Sequence, residues 1–182
     1  MSDRIAWAFT GAGDYLPESI AVLRRLVQEQ GFRADVFASK AGLQILKWYK
    51  LLPEVEAIAS EFLKEHDANT PFIAGALQKG TYRFLVVMPA TANTVAKIAH
   101  GIADTLVTNA VAQAAKADVP IYIYPVDQKP GALTTLLPSG QKLTLKTRPV
   151  DLDNVEKLRA MPGITVLSHP DQLIELVKAH LH

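Results

Sequence analysis

The chain has 182 residues, 49% of them hydrophobic and 20% charged, which suits one domain with a proper core and excludes a disordered chain. A formal net charge of +1 gives no global electrostatic case for nucleic acid. The absence of cysteine excludes disulfides, thiolate metal sites, iron–sulfur ligation and cysteine nucleophiles. No apolar run approaches the ~18–20 residues of a membrane span, and no basic-then-apolar leader opens the sequence, so a cytoplasmic location is expected.

In chain order the segments alternate between strand and helix. "RIAWAFTG" (4–11) is a short apolar run ending in Gly, read as the first strand. "LPESIAVLRRLVQEQG" (16–31) carries Ile20, Leu23 and Val27 at helical spacing, with Gly31 as a stop. "RADVFAS" (33–39) reads as the second strand. Helices follow over 41–52, ended by Pro53, and over 54–66. "YRFLVVMPA" (82–90) is the most strand-like run of all. The sequence then predicts one alanine-rich helix over 94–116, with an apolar face of Val95, Ile98, Ala99, Ile102, Ala103 and Leu106. Strands over 119–126 and 164–169 and a terminal helix complete the alternation. "ALTTLLPSGQKLTLKTRPVD" (132–151) breaks it and reads as a hairpin inserted between sheet strands. Apolar strands without polar alternation, separated by helices, indicate an α/β fold: a parallel sheet with helices on both faces. No repeat or linker divides it, so the expected organisation is a single domain over 1–182.

Ligands of open α/β sheets bind beyond the carboxyl ends of the strands. Those ends carry Thr10-Gly11-Ala12-Gly13-Asp14, Ser39-Lys40-Ala41-Gly42, Pro89-Ala90-Thr91-Ala92-Asn93-Thr94 and Pro125-Val126-Asp127-Gln128. Three of these loops lead into helices, whose free N–H groups favour an anion. "TGAGDY" holds only two glycines of a dinucleotide G-x-G-x-x-G, because Leu16 takes the third place. Ser39 and Lys40 stand where an acid for the ribose hydroxyls belongs, which argues against NAD. A mononucleotide phosphate fits neutral donors better, and a simple tight turn is the other reading of the glycines. Thr91, Asn93 and Thr94 exceed what one helix cap requires. Asp104 is a solvated charge, or with Asn109 the anchor of a polar network.

"PATANTVAKIAHGIADTLVTN" (89–109) resembles the P-x-S-A-N-T…K-x-A-x-G-I-x-D-x-L motif of the flavin-containing cysteine decarboxylase superfamily. The resemblance implies a Rossmann-like, flavodoxin-like sheet, an FMN cofactor, and homo-oligomers whose trimers assemble into larger particles. It implies that Gly11, Ala12, Gly13 and Ser39, with Thr10, Lys40 and Ala41 beside them, hold the FMN phosphate. Ala90, Thr91, Ala92, Asn93 and Thr94 would lie along the ribityl chain and ring, and Val126 would cover another part of the flavin. The decarboxylases' catalytic His has no counterpart in "PFIAGALQKGTYRF" (71–84), where Gly75 stands near its place. Their P-x-M-N is here Pro125-Val126-Asp127-Gln128, and their clamp cysteine is impossible in this chain.

The hairpin segment "LPSGQKLTLKTRPVD" (137–151) resembles the L-P-x-G…R-x-x-D feature of the archaeal-type flavoproteins and dihydromethanopterin reductases in the same superfamily. That resemblance implies an FMN-dependent oxidoreductase of one-carbon metabolism, reducing a dihydropterin to the tetrahydropterin with electrons from NAD(P)H or a redox protein. No catalytic residue is identified. Asp127 is either a partner for an aminopyrimidinone edge or a solvated loop carboxylate. Lys142, Lys146 and Arg148 would share one face of the hairpin, meeting an acidic substrate tail or guarding a strand edge. Trp48 and Tyr49 are read as packing residues more than flavin walls, and His100 as a surface or interface residue. No cluster has metal-ligand spacing. A cysteinyl decarboxylase and a flavin electron carrier are the alternatives.

Overall fold

The computed structural model describes residues 3–181. The elements in chain order are β1 (Arg4–Phe9), α1 (Leu16–Gln28), β2 (Arg33–Ala38), α2 (Lys40–Trp48), α3 (Leu52–Ile58), β3 (Glu61–Lys64), α4 (Ile73–Gln78) and β4 (Leu85–Ala90). They continue with α5 (Ala92–Ala99), α6 (Leu106–Lys116), β5 (Ile121–Pro125), β6 (Ala132–Leu136), β7 (Lys142–Lys146), α7 (Pro149–Arg159), β8 (Ile164–Val166) and α8 (Gln172–Leu181).

Six strands pair in the order β3-β2-β1-β4-β5-β8, every neighbour parallel. Successive side chains of a strand point to opposite faces, so each strand feeds two cores. Ile5, Trp7, Phe9, Val36, Val86 and Met88 pack on one face with Leu16, Ile20 and Leu23 of α1, Leu46 of α2 and Leu173 of α8. Ala6, Ala8, Phe37, Leu85, Val87 and Ile123 pack on the other with α4, α5, α6 and α7. This is the expected Rossmann-like α/β architecture. The chain winds outward through β1, β2 and β3, then crosses to β4 on the far side of β1. The loops leaving β1 and β4 therefore part in opposite directions, and the crevice between them is the topological switch point.

Two helices expected from sequence are divided differently. The segment 54–66 is not one helix. Helix α3 stops at Ile58 because Ala59 is extended, at φ −67° and ψ 140°. Strand β3 then pairs with β2, sending Phe62 to one core and Leu63 to the other. The segment 94–116 is two helices. Gly101, at φ +70°, ends α5 in a left-handed cap: its N–H donates to Ile98 O at 3.0 Å and the Ile102 N–H to Lys97 O at 2.8 Å. Helix α6 restarts at Thr105, whose hydroxyl accepts from the Thr108 N–H while the Thr108 hydroxyl accepts from the Thr105 N–H. The apolar face read across this break does not exist as one stripe, and Ile102 is exposed. Helix α7, unassigned from sequence, follows the hairpin. Strands β6 and β7 form the expected antiparallel pair, apart from the main sheet. Tyr49 Oη donates to Leu136 O at 2.8 Å and Thr135 Oγ1 to Asp14 Oδ1 at 2.6 Å, which ties the hairpin to the end of α2 and to the loop after β1. Among the described residues no helix is long and apolar enough to cross a membrane.

Candidate functional site

Thr10, fully buried at the end of β1, ties the switch point together. Its hydroxyl donates to Pro89 O at 2.7 Å and accepts from the Thr91 N–H at 3.1 Å, so the loops after β1 and β4 are fixed to each other. The N-terminus of α2 is brought against the same loop by two side-chain-free contacts. A Cβ on Gly42 would lie 2.4 Å from Phe9 O, and one on Gly11 would lie 2.8 Å from Ala41 Cβ. Ser39 caps α2, accepting from the Gly42 N–H at 3.0 Å. Thr91 caps α5, accepting from the Thr94 N–H at 3.2 Å and donating its hydroxyl to Thr94 Oγ1 at 3.0 Å.

These contacts surround a cleft of about 410 Å³ whose walls include Gly11, Ser39, Lys40, Ala41, Thr91, Asn93 and Thr94, with Glu65, Lys97, Thr105 and Val107 closing it. Each cap takes the third amide of its helix, which leaves the second amide of α2 and the first two of α5 without an acceptor. Among the described residues, the backbone N–H groups of Gly11, Ala12, Gly13, Ala41, Ala92 and Asn93 donate to no protein acceptor. Three loops thus present unpaired donors around one crevice, two of them at the positive ends of helices. An anion is the ligand such a site suits, and the nucleotide-phosphate reading of these loops fits it.

Other expected residues occupy different surroundings. Ala12 and Ala90 are buried, and Ala90 O accepts from the Val126 N–H at 3.1 Å. Gly13 lies under Tyr49, whose Oη would be 2.7 Å from an added Cβ. Ala92 opens α5 beside Asn93. Val126 lines a second cavity, of about 220 Å³, with Tyr15, Tyr124, Gln128, Leu133 and Thr147, between the end of β5 and the base of the hairpin. Tyr15 and Tyr124 meet there edge to face, ring centroids 5.2 Å apart. Half-buried Asp127 has its carboxyl pushed up from the usual range, first by burial and then by the charges of Asp151 and Asp14; Arg148 opposes the shift. Gln128 is locked in place, donating to both Pro125 O and Leu167 O at 2.9 Å.

Several expectations are corrected. Asp104 lies in the turn between α5 and α6, not deep in a helix. It takes both oxygens to Lys97 Nζ at 2.9 Å, and that contact holds its carboxyl below the usual range. Asn109 belongs to another network, donating to Ala68 O and Asn69 Oδ1. Arg148 does not share the face of Lys142 and Lys146. It precedes α7 and grips buried Asp151 through Nε and Nη2, at 2.9 and 2.7 Å. Trp48 is 57% exposed and contributes little packing. His100, by contrast, is exposed as its surface reading expects, with Nε2 3.1 Å from both Asn154 Oδ1 and Lys157 Nζ. Among the described residues no group of three His, Asp or Glu could hold a metal ion.

Sequence reasoning missed Glu65, and it named Gly42 only as part of the loop after the second strand, not for its close approach to Phe9 O. Glu65 follows β3, and its carboxylate accepts from the Lys40 N–H at 2.8 Å and the Leu106 N–H at 2.7 Å. A strand reading of 61–64 would have put it at a carboxyl end of the sheet. Gly42 was signalled only by its place three residues after the Ser39 cap.

Compared with known proteins, the chain matches the model of the family described as Flavoprotein over residues 1–181. It belongs to the flavoprotein family. Within that family, a Methanocaldococcus jannaschii protein described as uncharacterized is 48% identical over 178 residues, covering 98% of this chain and 96% of the relative. The same organism's dihydromethanopterin reductase (acceptor) is 32% identical over 233 residues, covering 94% of each. The crystal structure of Burkholderia xenovorans DmrB in complex with FMN, described as a cubic protein cage for redox transfer, superposes with a TM-score of 0.83 at 36% identity, covering 98% of this chain and 94% of that one. The resemblance to flavoproteins of the dihydromethanopterin reductase group, first read from residues 89–109 and 137–151, is borne out at the level of the family and its fold.

Proposed function

We propose that this flavoprotein binds FMN and reduces a dihydropterin, dihydromethanopterin or a close analogue, to the tetrahydro form. The observation that carries the cofactor reading is the set of unpaired backbone donors at Gly11, Ala41 and Asn93, which line the switch-point cleft, with those of Ala12, Gly13 and Ala92 on the same three loops. The substrate reading draws on the named relatives and on the resemblance of the hairpin segment 137–151 to that group. Bound FMN would supply hydride chemistry, so no nucleophile is required of the chain.

The chain's own residues then have binding and orienting roles. The Gly11–Gly13 amides and Ser39, with Thr10, Lys40 and Ala41 supporting them, hold the phosphate. Ala90, Thr91, Ala92, Asn93 and Thr94 line the ribityl chain and one side of the ring. Val126 borders the ring from the β5 loop, and Asp127 accepts N–H bonds from the aminopyrimidinone edge of the substrate. The hairpin screens this region from water on the side of Leu133 and Thr135. The 1–182 chain acts as a single FMN-binding domain in a homo-oligomer built of trimers. Exposed Phe72, Ile102, Leu143 and Leu145 are apolar surface suited to burial between subunits. The expected setting is cytoplasmic one-carbon metabolism, with NAD(P)H or a redox protein as donor.

A cysteinyl decarboxylase is disfavoured, because the chain lacks cysteine and has no His over 71–84. The test is anaerobic: photoreduced, FMN-loaded protein is mixed with dihydromethanopterin. Reoxidation of the flavin with formation of the tetrahydropterin is expected. Flavin that stays reduced with the pterin but exchanges electrons with a redox protein would replace the proposal with an electron carrier.

A further inference from the structure

Glu65 has no part in the reading above, yet it forms one end of the same cleft. It leaves β3, the edge strand, and reaches back between α2 and α6. One carboxylate oxygen takes the first amide of α2, from Lys40, and the other takes the first amide of α6, from Leu106, at 2.8 and 2.7 Å. Two helix N-termini, of nine and eleven residues, are thereby satisfied by one negative charge. Gly11, Ser39 and Ala41 line the same cleft as this carboxylate.

The two ends of the donor array differ as a result. The Gly11–Gly13 loop, Ala41, Ala92 and Asn93 keep unpaired N–H groups. Beyond Ser39 the first amides of α2 and α6 are already taken, and the carboxylate that takes them lines the cleft. A phosphomonoester can use the first set. A second phosphate extending toward α6 meets this fixed like charge, held on the first amides of both helices. Displacing the carboxylate would strip two helix ends of their acceptor at once.

We propose that Glu65 is a specificity residue that limits the cleft to flavin mononucleotide and refuses flavins carrying a diphosphate-linked second nucleotide. The inference rests on the FMN reading. Its physical basis is the placement of one carboxylate on two helix N-termini at the phosphate end of the cleft, and it asks no catalytic role of Glu65.

The experiment titrates the full-length protein with FMN, FAD and riboflavin, following flavin fluorescence, for the wild type and the variants Glu65→Gln and Glu65→Asp. The wild type is expected to prefer FMN to FAD by at least tenfold, about what one screened charge supplies. Glu65→Gln is expected to narrow the FMN/FAD ratio by about tenfold. Glu65→Asp, which keeps the charge, is expected to hold the ratio near that of the wild type. Wild-type protein that binds FAD as tightly as FMN would overturn the inference without any variant. So would an unchanged ratio in Glu65→Gln, or a ratio in Glu65→Asp that collapses as far as in Glu65→Gln, since mere loosening of the helix ends would then explain both. Failure of the wild type to bind FMN at all would instead sink the cofactor reading, and the two failures are thus told apart.

Discussion

Replacing Thr10 with Val removes one hydroxyl and keeps the shape of the side chain, so it isolates the link between the loops after β1 and β4. Thr10 is 1% exposed, donates to Pro89 O at 2.7 Å and supplies the acceptor for the Thr91 N–H at 3.1 Å. Water has little access to replace either partner. Losing two buried hydrogen bonds, with a carbonyl and an amide left unpaired, costs roughly 2–4 kcal/mol. At the size of this chain that corresponds to a fall in Tm of about 6–12 °C. The same loss frees Thr91, which caps α5, so flavin affinity is expected to weaken as well. Urea unfolding followed by circular dichroism measures the first effect and a fluorescence titration with FMN the second. Thr10→Ser keeps the hydroxyl and is expected to lose only about 1 kcal/mol, the value of a buried methyl group. A Thr10→Val protein within ~0.5 kcal/mol of the wild type would refute the reasoning, since an unpaired buried amide cannot be that cheap.

Gly42→Ala is expected to destabilise by about 1–3 kcal/mol in the same unfolding assay, because its Cβ meets the rigid Phe9 carbonyl at 2.4 Å. Gly75→Ala, whose equally short contact is with the ring of exposed Phe72, is expected to be tolerated within ~0.5 kcal/mol. Asp127 carries a raised folded-state pKa, so the native chain binds more protons than the unfolded one just above the ordinary carboxylate range. Stability therefore falls as pH rises through that window, and Asp127→Asn should flatten this part of a stability–pH profile. Asp151 is the opposite case: Arg148 holds its pKa down, so its contribution is complete above the ordinary carboxylate pKa and disappears as pH falls through the lowered one. Asp151→Asn should remove that acid-side loss and lower stability at neutral pH.

How much of this was legible from sequence depends on whether local signal and tertiary role coincide. Strands β1, β2, β4 and β5 are buried on both faces and read as apolar runs, so they stand out and order the sheet. Strand β3 is a half-exposed edge of four residues. Glu61 and Lys64 flank Phe62 and Leu63, a pattern that a helix also accommodates, and only pairing with β2 decides it. The break between α5 and α6 was written in Gly101 and in the Thr105–Thr108 pair, but alanines on either side hid it under an unbroken helical period. That the loops after β1, β2 and β4 meet at one cleft was legible because strand ends are where open sheets bind ligands. Glu65 was not, since its place depends on the strand that was missed. Nor was the partition between the main cleft and the Val126 cavity, because it is set by the hairpin docking through Tyr49 and Thr135 onto Asp14 and the β1 loop.

The central claim is that unpaired amides of the loops after β1 and β2 hold the phosphate of a flavin, and comparing FMN with riboflavin tests it most directly, since the two differ only in that group. Charge-assisted bonds from two or three amides predict that FMN binds one equivalent per chain and at least about 100-fold more tightly than riboflavin. Equal affinity for the two, or no affinity for FMN, would contradict the account.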